Sequence, residues 1–323
     1  MLNLVKESIK NKGFVNPLII PSDQMLGISL TNPSIININN TLYLNLRNVN
    51  YSLYHSETRD TEHQYGPLCY LHPEQDLKLI TYNIICKLNK KLNIENFLNI
   101  NTSNFDKEPL WEFVGLEDAR LVFWQNRLFL SGVRRDTTIN GEGRIELSEI
   151  NIQNNTATEV SRTRIPSPQP DDSYCEKNWM PILNKEFHWI KWTNPTELVY
   201  YDNKTTKQIL LKDYKEYNTL DLRGGSQVIE YKDYYLAILH ESEIYFTDTD
   251  KKNANYYHRF ILWDKNFNIK YLSDRFKFMD SKIEFCCGLC EYEDSLLITF
   301  GFQDNASFLL KCKKNFIDEI LCL

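Results

Sequence analysis

Glu117-Asp118-Ala119-Arg120 places two adjacent acids two residues from an arginine, directly ahead of the apolar run 121–124. Carboxylates at the mouth of a buried strand pay desolvation, so a partner or a chemical task is expected there. One task is proton transfer by a carboxyl group. The competing reading is a structural salt bridge between Asp118 and Arg120. The polar turn Gln125-Asn126-Arg127 and a second apolar run, 128–130, follow, which reads as a β-hairpin.

The same grammar recurs along the chain. Asn32-Pro33-Ser34, Glu176-Lys177-Asn178, Arg223-Gly224-Gly225-Ser226 and Glu284 each precede an apolar run, a polar turn and a second run. Further strand candidates follow each pair, for example Tyr82-Asn83-Ile84-Ile85-Cys86-Lys87-Leu88 and His258-Arg259-Phe260-Ile261-Leu262-Trp263-Asp264. Recurrence of a strand-turn-strand unit predicts an all-β chain, a five-bladed β-propeller rather than a two-sheet sandwich. Residues 1–31 are expected to form an N-terminal lead packing on the propeller, with an amphipathic helix over 1–10. Residues 32–323 are expected to be the catalytic propeller. First strands of blades line the central channel, so the polar openings should meet in one funnel. That funnel would hold Asn32, Glu117, Asp118, Lys177, Asn178, Arg223 and Glu284, with Arg134, Arg135 and His240 near its rim.

Composition narrows the classes. The chain has 323 residues, 13% of them aromatic, and a net charge of −6, which gives no nucleic-acid footprint. No apolar run reaches the ~20 residues of a membrane helix. The first ten residues lack an apolar signal core, so a cytoplasmic protein with its eight cysteines reduced is expected. Cys287-Gly-Leu-Cys290 lies in an apolar run without a second pair at zinc spacing, and reads as packing. Asp248-Thr-Asp250 has the form of a metal-binding D-x-D, a weak three-residue match; no metal or cofactor is expected. The string Arg47-Asn-Val-Asn-Tyr-Ser-Leu-Tyr-His-Ser-Glu57 mixes hydrogen-bonding and aromatic groups, a composition that suits sugar or a solvated loop.

These motifs resemble glycoside hydrolase family 130, the β-mannoside phosphorylases and β-1,2-mannosidases, with the related β-1,2-mannosyltransferases. The resemblance rests on Asn32-Pro33 with Leu44-Asn45-Leu46-Arg47, on Glu117-Asp118-Ala119-Arg120, and on Lys177-Asn178-Trp179-Met180-Pro181. It continues through Gly224-Gly225 to His240, then Phe285-Cys286-Cys287-Gly288 and Phe300-Gly301-Phe302-Gln303-Asp304. Ala119 stands where the family has proline, and Arg223-Gly-Gly-Ser lacks the family's Pro-Pro pair, so the chain reads as a divergent branch. The resemblance implies inverting single displacement at a mannose-like sugar. Asp118 would be the general acid, oriented by Glu117 and Arg120. Arg134, Arg135, Lys177, Arg223 and His240 would hold phosphate or a phosphorylated co-substrate, and Glu284 or Glu176 would serve as base in a hydrolytic variant. Asn32, Arg47, Asn48, Arg120, Asn178, Tyr257 and Asp304 would contact sugar. A biosynthetic glycosyltransferase using a nucleotide sugar in surface-polysaccharide assembly, and a non-catalytic sugar-binding propeller, remain the alternatives.

Overall fold

A computed structural model describes residues 1–55, 68–71, 78–169, 173–246 and 252–323. Among the described residues the regular structure is nearly all β-strand, in several sheets. Five antiparallel groups of four strands follow one another among these residues; a parallel contact at Ala157 and Thr158 with Ile100 and Asn101 joins the first two into one nine-stranded sheet, and a separate hairpin, Ser52–His55 with Leu68–Leu71, interrupts the first. The first is Ser29–Ile38, Thr41–Val49, Leu79–Leu88 and Ile94–Asn101. The second is Leu116–Trp124, Arg127–Arg134, Arg144–Gln153 and Thr156–Arg164. The third is Met180–Pro181, His188–Trp192, Thr196–Tyr201 and Thr206–Lys212. The fourth is Ile229–Tyr231, Tyr234–Phe246, Lys252–Trp263 and Ile269–Leu272. The fifth is Glu284–Tyr292, Ser295–Phe302, Ala306–Lys313 and, from the other end of the chain, Phe14–Pro17.

The hairpins follow from local sequence. Asn39-Asn40, Gln125-Asn126 and Asn154-Asn155 all have positive φ at both residues, the signature of two-residue turns whose twist matches the flanking strands. Asparagine adopts that conformation at low cost.

Alternation along the strands explains the packing. In Tyr234–Phe246, Leu236 and Ile238 enter one core while Tyr235, Ala237 and Leu239 enter another. Both faces are therefore buried, whereas a two-sheet sandwich buries one. Five such cores alternate with the five groups. They lie between groups one and two, two and three, three and four, four and five, and finally five and one. The cores close a ring. At its centre Gln227 is wholly buried: its amide donates to the carbonyls of Ile35 and Leu121 and accepts from the Leu289 amide, each at 3.0 Å. One side chain thus ties together the opening strands of the first, second and fifth groups.

The terminal segments carry two departures from expectation. Part of the lead, Phe14–Pro17, completes the fifth group rather than merely packing on it, after a helix at Leu4–Lys10. A second helix, Lys314–Leu321, departs from the all-β expectation, and buries Phe316, Ile317 and Leu321. No helix among the described residues is long and apolar enough to cross a membrane.

Candidate active site

The opening strands of the first two groups each carry an irregularity in register. One falls between Thr31 and Ser34, the other between Glu117 and Arg120. Such bulges re-aim side chains beside functional sites. Here they turn Asn32 and Asp118, both at positive φ, toward each other. The Asn32 amide donates to Asp118 Oδ1 at 2.8 Å. Behind them Ser34 locks the two bulges, donating to the Ala119 carbonyl and accepting from the Leu121 amide. Asn178 and Asp304 also sit at positive φ. Gly301 allows Asn32 its place: a Cβ there would lie 2.1 Å from Asn32 Oδ1. Gly224 does the same for the Asn178 segment, where a Cβ would lie 1.9 Å from the Asn178 carbonyl oxygen.

These residues border a cleft of about 390 Å³. Its acids are Glu117, Asp118 and Asp304; its cations are Arg47, Lys177 and Arg223; Asn32, Asn178 and His240 add neutral polar groups. Tyr51, Phe113, Tyr256 and Phe285 give it aromatic walls. That is a composition suited to a hydroxyl-rich, charged ligand.

Arg47 organises the acidic side. Buried beneath the cleft, it donates to Asp118 Oδ1 at 2.8 Å, to Glu117 Oε2 at 3.3 Å, to Tyr51 Oη at 2.7 Å and to Thr81 Oγ1 at 3.2 Å. Burial raises the pKa of Asp118, but Arg47, Arg120, the Asn32 amide and Lys177 outweigh it, leaving the carboxyl below its ordinary value. Burial raises Glu117 and Asp304, Arg47 pulls each down, Asp118 pushes each up, and both finish above their ordinary values. Glu117 and Asp118 contact one guanidinium, Asp304 feels its charge without an ion pair to it, and their environments drive the three acids apart.

Lys177, also at the cleft, is exposed. Arg223 pairs with Asp221 at 2.9 Å, and its backbone pairs with that of His240. His240 Nδ1 lies 2.9 Å from the Gly224 carbonyl, so it carries the hydrogen and leaves Nε2 as an acceptor. Burial, then His258 and Arg223, hold His240 well below its ordinary pKa. Burial therefore disfavours the charged imidazole that the expected role of an anion-holding cation requires.

Several other expected site residues prove to be scaffold. Glu284 is fully buried, and its carboxylate accepts the backbone amides of Phe278, Met279 and Ser281. Glu176 is occupied by Ser167, Trp179 and Lys191. Asn48 braces a turn, accepting from the Gly27 amide and donating to the Ser29 carbonyl. Arg120, 1% exposed, lies under the floor, donating to the carbonyls of Asp118 and Gly225. It positions Asp118 rather than meeting ligand. Arg134 is buried against Asp136 and Glu146 and borders a separate cavity of about 450 Å³ between the first two groups. Arg135 stacks on Phe113 and Tyr174, behind the cleft wall.

Tyr257 faces away, under Arg275 and Lys277, while its neighbour Tyr256 lines the cleft and packs on His240. The pairing His240 with His258 sets this alternation, and sequence does not specify such register. Phe113, Tyr256 and Phe285 were missed as lining groups, whereas Tyr51 lies in the polar-aromatic string 47–57 that the sequence singled out. The Asp248-Thr-Asp250 string lies outside the described residues, as do Glu57 and the side chains of Tyr54 and His55. Among the described residues no cluster of three or more His, Cys, Asp or Glu could hold a metal.

No family model matches the chain, and no curated protein matches it in sequence. Solved structures do match in fold. A glycosyl hydrolase from Bacteroides ovatus aligns over 89% of this chain and 84% of its own, with a TM-score of 0.58 at 11% identity. The β-1,2-mannobiose phosphorylase of Listeria innocua, solved with β-1,2-mannobiose, aligns over 95% and 96%, with a TM-score of 0.51 at 14% identity. A GDP-Man-dependent mannosyltransferase from Leishmania mexicana aligns over 96% and 94%, with a TM-score of 0.53 at 12% identity. These alignments show that the chain has the fold of the glycoside hydrolase family 130-type enzymes, at 11–14% sequence identity.

Proposed function

We propose that the five groups are blades of one propeller and that the cleft at its axis transfers a mannose-like glycosyl group with inversion, using phosphate or a phosphorylated co-substrate. The observation carrying this reading is one small cleft that holds an acid cluster and two cations left over from it. Glu117 and Asp118 pair with Arg47, while Lys177 and Arg223 border the same cleft and form no ion pair with its acids among the described residues. Inverting displacement needs a proton donor at the leaving oxygen and a nucleophile on the other face of the sugar. Lys177 and Arg223 supply charge for an anionic nucleophile or leaving group. Asn32, Asn178 and the acceptor nitrogen of His240 meet sugar hydroxyls, and Tyr256 and Phe285 meet C–H faces. Support for the enzyme class comes from the fold shared with a mannobiose phosphorylase.

A second reading, a transferase using a nucleotide-sugar donor, is favoured by the equally complete fold match to a GDP-Man-dependent mannosyltransferase. Here Lys177 and Arg223 would face the departing diphosphate. One experiment separates the two. Purified protein is given β-mannosides with inorganic phosphate, and separately GDP-mannose with mannose acceptors. Mannose 1-phosphate formed in the first mixture supports phosphorolysis; GDP released in the second supports the transferase. Sugar binding with neither product would mean a non-catalytic propeller, and neither binding nor turnover would overturn the assignment.

A further inference from the structure

The cavity of about 450 Å³ beside Arg134 takes no part in the chemistry proposed above, although it is larger than the axial cleft of about 390 Å³. Its walls come from residues 80–83 of the first group and from Arg134, Glu146, Arg162 and Arg164 of the second, with the segment 102–110 along one side. Among the described residues four basic and four acidic side chains border it, so it selects neither an anion nor a cation. Phe105, Leu110, Val114 and Leu130 leave apolar patches between the polar groups. A neutral ligand that carries both hydroxyls and C–H faces, a saccharide, fits that mixture.

The polar floor is short of hydrogen bonds. Glu146 and Arg134 are 2% and 6% exposed, and Glu146 Oε2 lies 2.7 Å from Arg134 Nε. The pair is misaligned, so neither atom makes a hydrogen bond. Glu146 Oε1 receives Arg164 at 3.4 Å, beyond the ordinary range. Arg164 is held loosely elsewhere too, at 3.0–3.4 Å from the Arg134 carbonyl and Glu142. A carboxylate accepts about four hydrogen bonds, and buried polar groups are rarely left short of them. Burial outweighs Arg134, Arg164 and Arg162 and leaves the Glu146 carboxyl above its ordinary pKa, the mark of a weakly solvated group. A sugar hydroxyl both donates and accepts, and would serve Glu146 and Arg164 alike.

We propose that this cavity is a second, non-catalytic saccharide site, in which the hydroxyls of one sugar unit bond to Glu146 and Arg164 and its C–H faces meet Phe105 and Leu110. The choice of a saccharide rests in part on the glycosyl-transfer reading above. The two sites stand back to back. Thr81 borders the cavity, and its hydroxyl accepts from Arg47 beneath the axial cleft at 3.2 Å. Asp136, also on the cavity wall, accepts the Gly115 amide at 2.9 Å, two residues ahead of Glu117. The cavity thus holds saccharide beside the catalytic strand without reaching the reacting atoms.

The test compares wild type with Thr137→Trp and Glu146→Gln. Thr137 is exposed at the cavity's rim, where tryptophan plugs the mouth and leaves the buried ion pairs in place. Calorimetric titration with β-1,2-mannobiose should give two sites per chain in the wild type and one in Thr137→Trp. Glu146→Gln should weaken the second site about tenfold or more, the worth of a hydrogen bond to a charged group. Crystals soaked in the same sugar should hold one ring beside Glu146 as well as one in the axial cleft. A single site in the wild type, two undiminished sites in Thr137→Trp, or only water in the cavity of soaked crystals overturns the inference, whether or not Glu146→Gln folds. The functional reading is scored separately. Sugar in the cavity without any glycosyl transfer sinks that reading and keeps this site; transfer with sugar in the axial cleft alone does the reverse.

Discussion

Replacing Arg47 with Met keeps most of the side chain's length and removes the guanidinium that contacts Glu117 and Asp118. Removing one partner of a buried ion pair costs about 3–5 kcal/mol when the other charge is left stranded. The stranded acid has an escape, because it can take up a proton. The loss at pH 7 is then about 1.36 kcal/mol for each unit by which the Asp118 pKa climbs from its depressed wild-type position, up to that ceiling. The sign follows from the linkage. In the wild type the depressed Asp118 contributes stability above the unfolded pKa, and this is lost as pH falls through the folded value. In Arg47→Met the raised carboxyl destabilises above its folded pKa, and that cost disappears as pH falls toward 4. The gap between the two proteins should therefore be largest near pH 7, smaller at pH 5 and smaller again at pH 4, and it should close only below the depressed folded pKa of wild-type Asp118. Urea unfolding at the three pH values measures it. A gap below about 1 kcal/mol at pH 7, or one that stays constant with pH, would show that Arg47 does not balance the acid cluster.

Two further outcomes are expected. Gln227→Leu leaves two carbonyls and one amide without partners at the axis, and at about 1–3 kcal/mol for each stranded group it should destabilise by about 3–5 kcal/mol in the same unfolding assay. Lys177→Ala should weaken binding of inorganic phosphate about tenfold, equivalent to about 1.4 kcal/mol, while changing sugar affinity less than twofold by calorimetry; equal effects on both would remove Lys177 from the anion site.

Local chemistry was legible in the sequence where one or two residues decide the structure. Asn39-Asn40 and Gln125-Asn126 announce their turns, and the polar residues ahead of apolar runs announce the strand openings that reach the cleft. Asn32, Arg47, Glu117, Asp118, Lys177, Asn178, Arg223, His240 and Asp304 all border it. What failed depended on partners distant in sequence. Glu284 looks like a free carboxylate until three backbone amides from 278–281 close on it. Arg134 looks like an anion ligand until Glu146, on the neighbouring strand, neutralises it. Tyr256 and Tyr257 differ only in strand register. The closing strand Phe14–Pro17 pairs with residues nearly 300 positions away, a contact no local pattern encodes.

The most direct test of the account is a crystal of this protein soaked with mannose and inorganic phosphate. The account predicts both in one cleft, the sugar against Asn32, Asp118 and Asp304, and the phosphate against Lys177 and Arg223. Sugar or phosphate in the separate cavity beside Arg134 and Glu146, with the axial cleft left empty, would contradict it.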